Sequence, residues 1–373
     1  MDLSLSETQE MFKKVAADFV KAEVPAHQMT QWYKSKQTFQ PQVVKKAAGL
    51  GWLGMMLPEQ YGGAEVGATD CAVVFEELGH GPVPGPLFTS GILAAQMIFE
   101  ACTEEQRKAL LPPLCKGESI VIPAITDTAA YWGPEAVETR LSKTNGGYLM
   151  TGVKRFVFDA QAATSFLCAA RTEEGKVVFL LVDAKSPGIT ITPHVGFLVS
   201  VDEVRFDKVA VARENLLGSS GANWSTLEAA LDKSLPILCA YQVGASQEVF
   251  DFTCEYTRTR VVFGQPIGRF QRVQDHCVDI SIHLDAARWA TYETLWRIDS
   301  GMPVRAAVHE AKAVASDGYY QATNYAHMVW AGPGTDYGHP MMAHSVLAHT
   351  LYQYLGTPGH HKRLMMDALY PRA

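Results

Sequence analysis

The sequence contains no Cys-x-x-Cys pair, no block of lysines and arginines, and no apolar run approaching the roughly 18 residues that a bilayer requires. Its seven cysteines, Cys71, Cys102, Cys115, Cys168, Cys239, Cys254 and Cys277, are scattered and odd in number. They read as free or buried thiols in a reducing compartment and not as a disulfide framework. With 32 basic against 39 acidic residues and a net charge of -7, the chain lacks the electrostatic footprint of a nucleic-acid binder. Met1 to Glu10 carries acids and alternating polar residues in place of a basic stretch followed by an apolar one. A cytoplasmic protein with no membrane partner is the expectation. His339, His344, His349, His360 and His361 lie close in sequence. Five-residue spacing puts successive side chains on different helix faces, and matching thiolate or carboxylate ligands are missing, so no metal site is expected.

What is present is material for cores: 47% hydrophobic and 19% charged residues over 373 positions, with no repeat or low-complexity tract, predict two or three folded domains. From Leu3 to about Gly117 apolar residues such as Leu5, Phe12, Val15 and Phe19 recur at helical spacing. Ser6 before Gln9 and Thr103 before Gln106 fit the capping box that opens a helix. Between Ser119 and Gly218 short β-rich runs (119–126, 166–170, 177–182, 188–192) alternate with turns such as Asn145-Gly146. After Gly218 helical patterns return over 227–257, 271–300 and 304–330. The expectation is an α+β chain with a helical domain at 1–118, an antiparallel barrel or sandwich at 119–218 and a helical bundle at 219–373. A doubly wound nucleotide fold is excluded by the absence of helices between the strands.

The segment from Tyr256 to Gln271, Tyr-Thr-Arg-Thr-Arg-Val-Val-Phe-Gly-Gln-Pro-Ile-Gly-Arg-Phe-Gln, ends one helix near Arg260, turns at Gly264 and Pro266, and opens another at Gln271. An arginine, an aromatic ring and an amide at one bend suit a dinucleotide: the guanidinium can bridge phosphate oxygens while Phe263 offers an apolar face. This segment resembles a signature of the acyl-CoA dehydrogenase family. Leu57-Pro-Glu-Gln-Tyr-Gly-Gly63, Glu76-Glu-Leu-Gly79, Gly152-Val-Lys154 and Arg213-Glu-Asn-Leu-Leu-Gly218 resemble further family motifs in the family's order, so the resemblance spans the chain. It implies a C-terminal four-helix bundle, an acyl-CoA thioester substrate, FAD bound between the middle and last domains, and electrons passed to an electron-transfer flavoprotein. It also implies flavin contacts for Thr126 and Phe156, with Arg260, Phe263, Gln271, Gly332 and Thr357 at cofactor positions and Asp232 and Ser234 beside substrate.

The departures from the family pattern are as informative. The glutamate that removes the α-proton usually stands in a Tyr-Glu-Gly-Thr segment, which here is Tyr354-Leu355-Gly356-Thr357. The alternative helix-borne position corresponds to Ser234. Leucine cannot accept a proton, and a general base contributes about 10² to 10⁴ in rate. Phe158 replaces the threonine that bonds flavin N5, Leu235 replaces an arginine, and Met328 replaces a glutamine. Arg260, Phe263 and Gln271 remain, and in family dimers that bend reaches a neighbour's FAD. The resemblance therefore narrows to the degenerate subunit of bacterial heterotetrameric acyl-CoA dehydrogenases of lipid or side-chain degradation. Two alternatives stay open: a self-sufficient member using Asp232, Asp336 or Tyr337 as base or performing a non-oxidative elimination, and a non-catalytic acyl-CoA-binding protein.

Overall fold

The computed structural model describes residues 4–35, 39–128, 132–194, 200–218 and 222–371; Leu3, where the helical pattern begins, lies outside them. In chain order the helices are α1 (Glu7–Glu23), α2 (Ala26–Ser35), α3 (Pro41–Gly49), α4 (Ala68–His80), α5 (Ala95–Ala101) and α6 (Glu104–Cys115). Strands β1 (Val121–Ala124), β2 (Arg140–Thr144), β3 (Gly147–Phe158), β4 (Ser165–Thr172), β5 (Val177–Asp183), β6 (Ile189–Pro193) and β7 (Val201–Ala212) follow. Then come α7 (Trp224–Thr259), the short pair β8 (Val261–Val262) and β9 (Gln265–Pro266), α8 (Gln271–Asp299), α9 (Arg305–Trp330), α10 (Pro340–Gln353) and α11 (Pro358–Leu369). Both expected capping boxes form. The Ser6 and Thr103 hydroxyls accept from the Gln9 and Gln106 N–H groups, and the two glutamine side chains accept in return from the cap backbones.

Contacts gather the chain into two compact units that interleave in sequence: 1–36, 67–83 and 235–373 form one, and 37–66 and 84–234 the other. In the sheet unit the strand order is β1-β4-β2-β3-β7-β6, with β5 paired to β4. The Asn145-Gly146 turn joins β2 to β3 as expected, pairing Thr144 with Gly147. The expectation of a wholly antiparallel sheet needs correction, because β1 and β2 each run parallel to β4. Parallel neighbours need a long crossover, usually a helix; here the β2–β3 hairpin lies between β1 and β4, and β3 lies between β2 and β4. Strand spacing carries no sign for pairing direction, so the sequence could not reveal this.

The family-like motifs of this unit mark tight joints. A Cβ on Gly63 would sit 2.1 Å from the Leu57 carbonyl oxygen. Tyr61, buried, donates its hydroxyl hydrogen to Glu104 at 2.6 Å. Gln106 does more than cap: its amide donates to the carbonyls of Glu214 (3.1 Å) and Leu216 (2.8 Å) and accepts from Gly218 (2.9 Å), which fastens the Arg213–Gly218 segment to α6.

In the helical unit Cys239 and Val243 of α7, Leu284 and Ala287 of α8, and Ala311 and Ala315 of α9 share one buried core. Small residues there let the helices approach closely. Backbone meets backbone between α4 and α7: a Cβ on Gly79 would lie 2.0 Å from the Tyr241 carbonyl oxygen, and one on Gly244 would lie 1.8 Å from that of Glu76. Asp299, at the end of α8, caps α4 by accepting from the N–H groups of Ala68 (2.7 Å) and Thr69 (3.0 Å) and from the Thr69 hydroxyl (2.6 Å). A negative charge at a helix N-terminus is favoured by the helix dipole as well as by these bonds.

Because the obstacle at Gly244 is backbone, a methyl group there must push two helices apart. Gly244→Ala should destabilise the protein by about 3 kcal/mol through overpacking, whereas Gly146→Ala, with nothing within 4 Å of its would-be Cβ, should change stability little. Denaturant unfolding of both variants checks this, and equal stabilities would contradict it.

Candidate functional site

The sheet unit places Thr126 just past β1. Beneath it Asp127 and Lys154, both buried, pair at 2.8 Å. Asp127 also accepts from the N–H groups of Glu138 (2.6 Å) and Thr139 (2.9 Å) and from the Thr139 hydroxyl (2.7 Å). Lys154 donates to the Ile125 carbonyl at 3.1 Å. Burial lowers the Lys154 pKa, and the Asp127 charge works against that shift. Gly152 permits the knot to close, since a Cβ there would stand 2.4 Å from the Thr139 hydroxyl oxygen. The resemblance drew attention to Gly152-Val-Lys154, but nothing in the sequence singled out Asp127 as the partner of Lys154.

Phe156 lies in β3 at an irregularity in its pairing with β7, with a left-handed φ of 53°. Its half-exposed ring stacks on His194 with centroids 5.1 Å apart and planes at 25°. Sequence reading missed His194, and its position after β6 carries no local signal. Phe158 is half-buried, and its side chain has no hydrogen-bonding group with which to serve a cofactor. Asp159 behind it is buried, accepts from Thr89 at 3.0 Å, and has its pKa pushed up to about 7 by burial. Asp232 is half-buried. The fully buried Ser234 donates its hydroxyl hydrogen to the Ala230 carbonyl at 2.7 Å, an internal helix bond.

The helical unit brings Arg260, Phe263 and Gln271 together on one projecting bend. Val262 pairs with Gln265 across a two-residue turn in which Phe263 (φ 52°) and Gly264 (φ 78°) are both left-handed. Such a turn prefers asparagine or glycine at its first position, so phenylalanine here holds a strained backbone. Its ring is 91% exposed and touches Phe270 edge-on at 6.3 Å. Arg260 and Gln271 are exposed, and among the described residues no carboxylate pairs with Arg260. Trp330 anchors the bend, stacking on Tyr256 at 3.8 Å and donating to the Thr253 hydroxyl at 3.2 Å. This also draws in Gly332, which follows Ala331 and its unusual φ of 51° and ψ of -132°. Met328 is exposed. A guanidinium with no carboxylate partner among the described residues and an open aromatic face on one bend fit a dinucleotide's phosphates and apolar rings.

Leu355 and Thr357 stand apart from that bend, in the connection from α10 to α11. Tyr354 (φ -64°, ψ 129°) and Leu355 (φ 59°) form a type II turn closed by Gly356 N–H to the Gln353 carbonyl at 3.2 Å. Leucine is disfavoured at its left-handed position, and its side chain is buried. The Leu355 carbonyl accepts from His361 Nε2 at 3.1 Å. That bond places the proton on Nε2, so His361 Nδ1 accepts from His309 Nδ1 at 3.0 Å. Beside them buried Lys312 donates to Ser316 (2.6 Å) and to the Leu351 carbonyl (3.2 Å), with its pKa lowered to about 8 by burial. Thr357 caps α11 by accepting from the His360 N–H at 3.3 Å. Asp336 accepts from the Gly338 N–H at 2.8 Å, a loop-shaping role, and Tyr337 is exposed.

The sequence profile of the acyl-CoA dehydrogenase N-terminal domain matches residues 6–118, and that of the acyl-CoA dehydrogenase C-terminal domain matches residues 223–370. The chain belongs to the acyl-CoA dehydrogenase family, whose members are oxidoreductases that use FAD. A probable acyl-CoA dehydrogenase of Bacillus subtilis is 28% identical over 345 residues covering 90% of each chain. Butyryl-CoA dehydrogenase from Megasphaera elsdenii superposes with a TM-score of 0.90 at 25% identity, covering 99% of this chain and 100% of that one. A chain of the ChsE4-ChsE5 complex from Mycobacterium tuberculosis gives a TM-score of 0.88 at 24% identity, with both chains covered fully. Among the described residues no helix is long and apolar enough to cross a membrane.

Burial lowers the pKa of His309 and of His344 to about 4, and that of His361 to about 2. Unfolded histidine titrates near 6.5. Below that pH the unfolded chain binds protons that the folded chain refuses, so this contribution to stability is complete above pH 6.5 and is lost as pH falls toward 4. Each histidine adds a slope of about 1.4 kcal/mol per pH unit in that window. His344→Phe should flatten the acid limb by about one such increment, as measured by denaturant unfolding from pH 7 to pH 4.5. An unchanged slope would contradict the assignment.

Proposed function

We propose that this chain is a subunit of an FAD-dependent acyl-CoA dehydrogenase assembly that desaturates an acyl-CoA thioester between its α and β carbons. It lacks its own proton-abstracting base and lends its α7–α8 bend to the flavin of a catalytic partner subunit in a heterotetramer. The observation that carries this reading is Phe263: a 91% exposed ring on left-handed backbone, beside an exposed arginine without a carboxylate. Strain and exposed apolar surface persist where a function uses them. The opposite holds at the family's base positions, where Leu355 is packed away and the Ser234 hydroxyl is spent on its own helix. The structural neighbour from Mycobacterium tuberculosis being a complex of two named components is consistent with this role.

When bound, FAD supplies the hydride acceptor for the substrate's β-carbon. Arg260 would hold its phosphate or sugar groups, Phe263 would cover an apolar face, and Gln271 and Gly332 would border the same end. Thr126, Phe156 and Thr357 are the positions at which this chain would meet a flavin of its own, and Asp232 lies where substrate would pass. Electrons would leave through an electron-transfer flavoprotein.

In the assembly purified with its partner, Arg260→Ala should lower the flavin-to-protein ratio, since losing a charged hydrogen bond typically costs about 1.5–3 kcal/mol. Unchanged flavin content and stability would count against the assigned role. The isolated Leu355→Glu variant should still fail to bleach flavin anaerobically with a panel of acyl-CoA thioesters. A base works only when substrate and flavin are already positioned, which can contribute about 7–11 kcal/mol, and Phe158 and Leu235 leave that positioning incomplete. Rapid bleaching by the solitary variant would mean that only the base was missing, and the subunit reading would fall.

A further inference from the structure

Five of the cysteines, Cys71, Cys102, Cys115, Cys168 and Cys239, are buried, whereas Cys254 and Cys277 keep some access to solvent. Those two lie near the facing ends of the helices that flank the bend, Cys254 on α7 and Cys277 on α8. The β8–β9 hairpin reverses the chain between them, so the helices run antiparallel. Val243 of α7 shares a core with Leu284 of α8. Cys254 follows Val243 by eleven residues and Cys277 precedes Leu284 by seven, close to whole numbers of helical turns, so both return to the shared face. There the two thiols hydrogen-bond each other across the helix pair. Burial raises the pKa of both, that of Cys277 to about 11. At Cys254 the same burial is opposed by the hydrogen bond from Cys277 and by the positive charge of Arg258, so Cys254 is the thiol with a cation working for its thiolate.

We infer that Cys254 and Cys277 are an oxidation-responsive site at which hydrogen peroxide closes an intrachain disulfide, stapling α7 to α8 beneath the Arg260–Phe263 bend. The Cys254 thiolate attacks one peroxide oxygen, the O–O bond breaks, and the departing hydroxide takes a proton to become water. The sulfur is left as a sulfenic acid. Cys277 sulfur then attacks the Cys254 sulfur, the S–O bond breaks, and the hydroxyl leaves with the Cys277 proton as a second water. Two thiols have then given two electrons to one peroxide, and the products are one disulfide and two waters. Because the thiolate is the nucleophile, raised pKa values make the first step slow at neutral pH and faster as pH rises. The same property favours the disulfide once it has formed, since the reduced state gains little from a stabilised thiolate. In a chain whose other thiols are buried, a reversible pair of this kind is suited to sensing an oxidant. The site belongs to this chain alone and does not depend on the subunit role proposed above.

The test treats the full-length reduced chain with a modest molar excess of hydrogen peroxide at about pH 7 and about pH 8.5, alkylates the remaining thiols, and identifies the peptides by mass spectrometry. The expected product is one dithiothreitol-reversible link between Cys254 and Cys277 of the same chain, formed about tenfold faster at the higher pH. Amide hydrogen exchange across residues 260–270 should be about threefold slower in the oxidised chain than in the reduced one, because the staple limits how far α7 and α8 separate. In Cys277→Ser, where no resolving thiol remains, dimedone should trap a sulfenic acid at Cys254. Cys254→Ser should give about tenfold less adduct at Cys277, where no cation assists the thiolate. Should either serine variant lose its fold by circular dichroism, the link and the exchange rates in the unaltered chain decide. Sulfinic acid at either position without a link, disulfides that join two chains, unchanged exchange across the bend, or a dimedone adduct confined to Cys277 would overturn the inference.

Discussion

A lysine and an aspartate 2.8 Å apart with neither reaching water set the geometry of the sheet unit. Each would be costly to bury alone, and removing one member of such a pair typically costs about 3–5 kcal/mol because the other charge is stranded. Asp127 therefore has to collect its donors from the Glu138–Thr139 backbone, and Lys154 has to reach the Ile125 carbonyl. Those demands fix the chain on either side of Thr126 and leave Gly152 no room for a side chain. The positions of Thr126 and of the β3 irregularity that turns Phe156 outward follow from one satisfied ion pair.

The helical unit rests on a different constraint, the contact of backbone with backbone where α4 and α7 cross. Helices at that separation need glycine on both sides, and Gly79 and Gly244 supply it. With α7 held there, and with α8 tied back to the start of α4 by Asp299, both helices that flank the bend are fixed some distance from it. Trp330 completes the restraint by stacking on Tyr256. A projecting turn can then hold a strained, exposed phenylalanine without collapsing onto its own helices.

Much of this was legible because local chemistry and global packing coincide. The Ser6 and Thr103 caps, the Asn145-Gly146 hairpin and the long helical periodicities are written in a few adjacent residues each. The family-like motifs were also readable, although their physical content was not: Gly79 and Gly152 are glycines because of Tyr241 and Thr139, contacts that only the folded chain reveals. Interactions whose partners are individually ordinary and follow no fixed spacing stayed hidden. Asp127 with Lys154, His361 with the Leu355 carbonyl, and His194 on Phe156 have no spacing to betray them. The parallel pairings of β4 were hidden for the same reason, since alternation along a strand says nothing of its neighbour's direction. The interleaving of the two compact units depends on which helices meet, a property of pairs that single segments do not encode.

On the proposed reading, the turn at Leu355 explains how a member of this family can lack its base without lacking its shape. The turn is held by groups that do not depend on the side chain at 355: the Gly356 N–H on the Gln353 carbonyl, His361 on the Leu355 carbonyl, and Lys312 on the last turn of α10. A carboxylate there would have to be kept ionised among buried neighbours, at the expense of stability unless substrate and flavin use it. A leucine in the same place is instead removed from water, which favours folding by about 1.5–3 kcal/mol for a fully buried side chain and offsets part of the strain of its left-handed backbone. The substitution is thus chemically severe and structurally mild. The bend at Arg260 and Phe263 has the reverse character, since its exposed ring and strained turn do nothing evident for the stability of this chain. Its presence in a chain with Leu355 buried in the α10–α11 turn is what the proposed role, serving another chain's cofactor, requires.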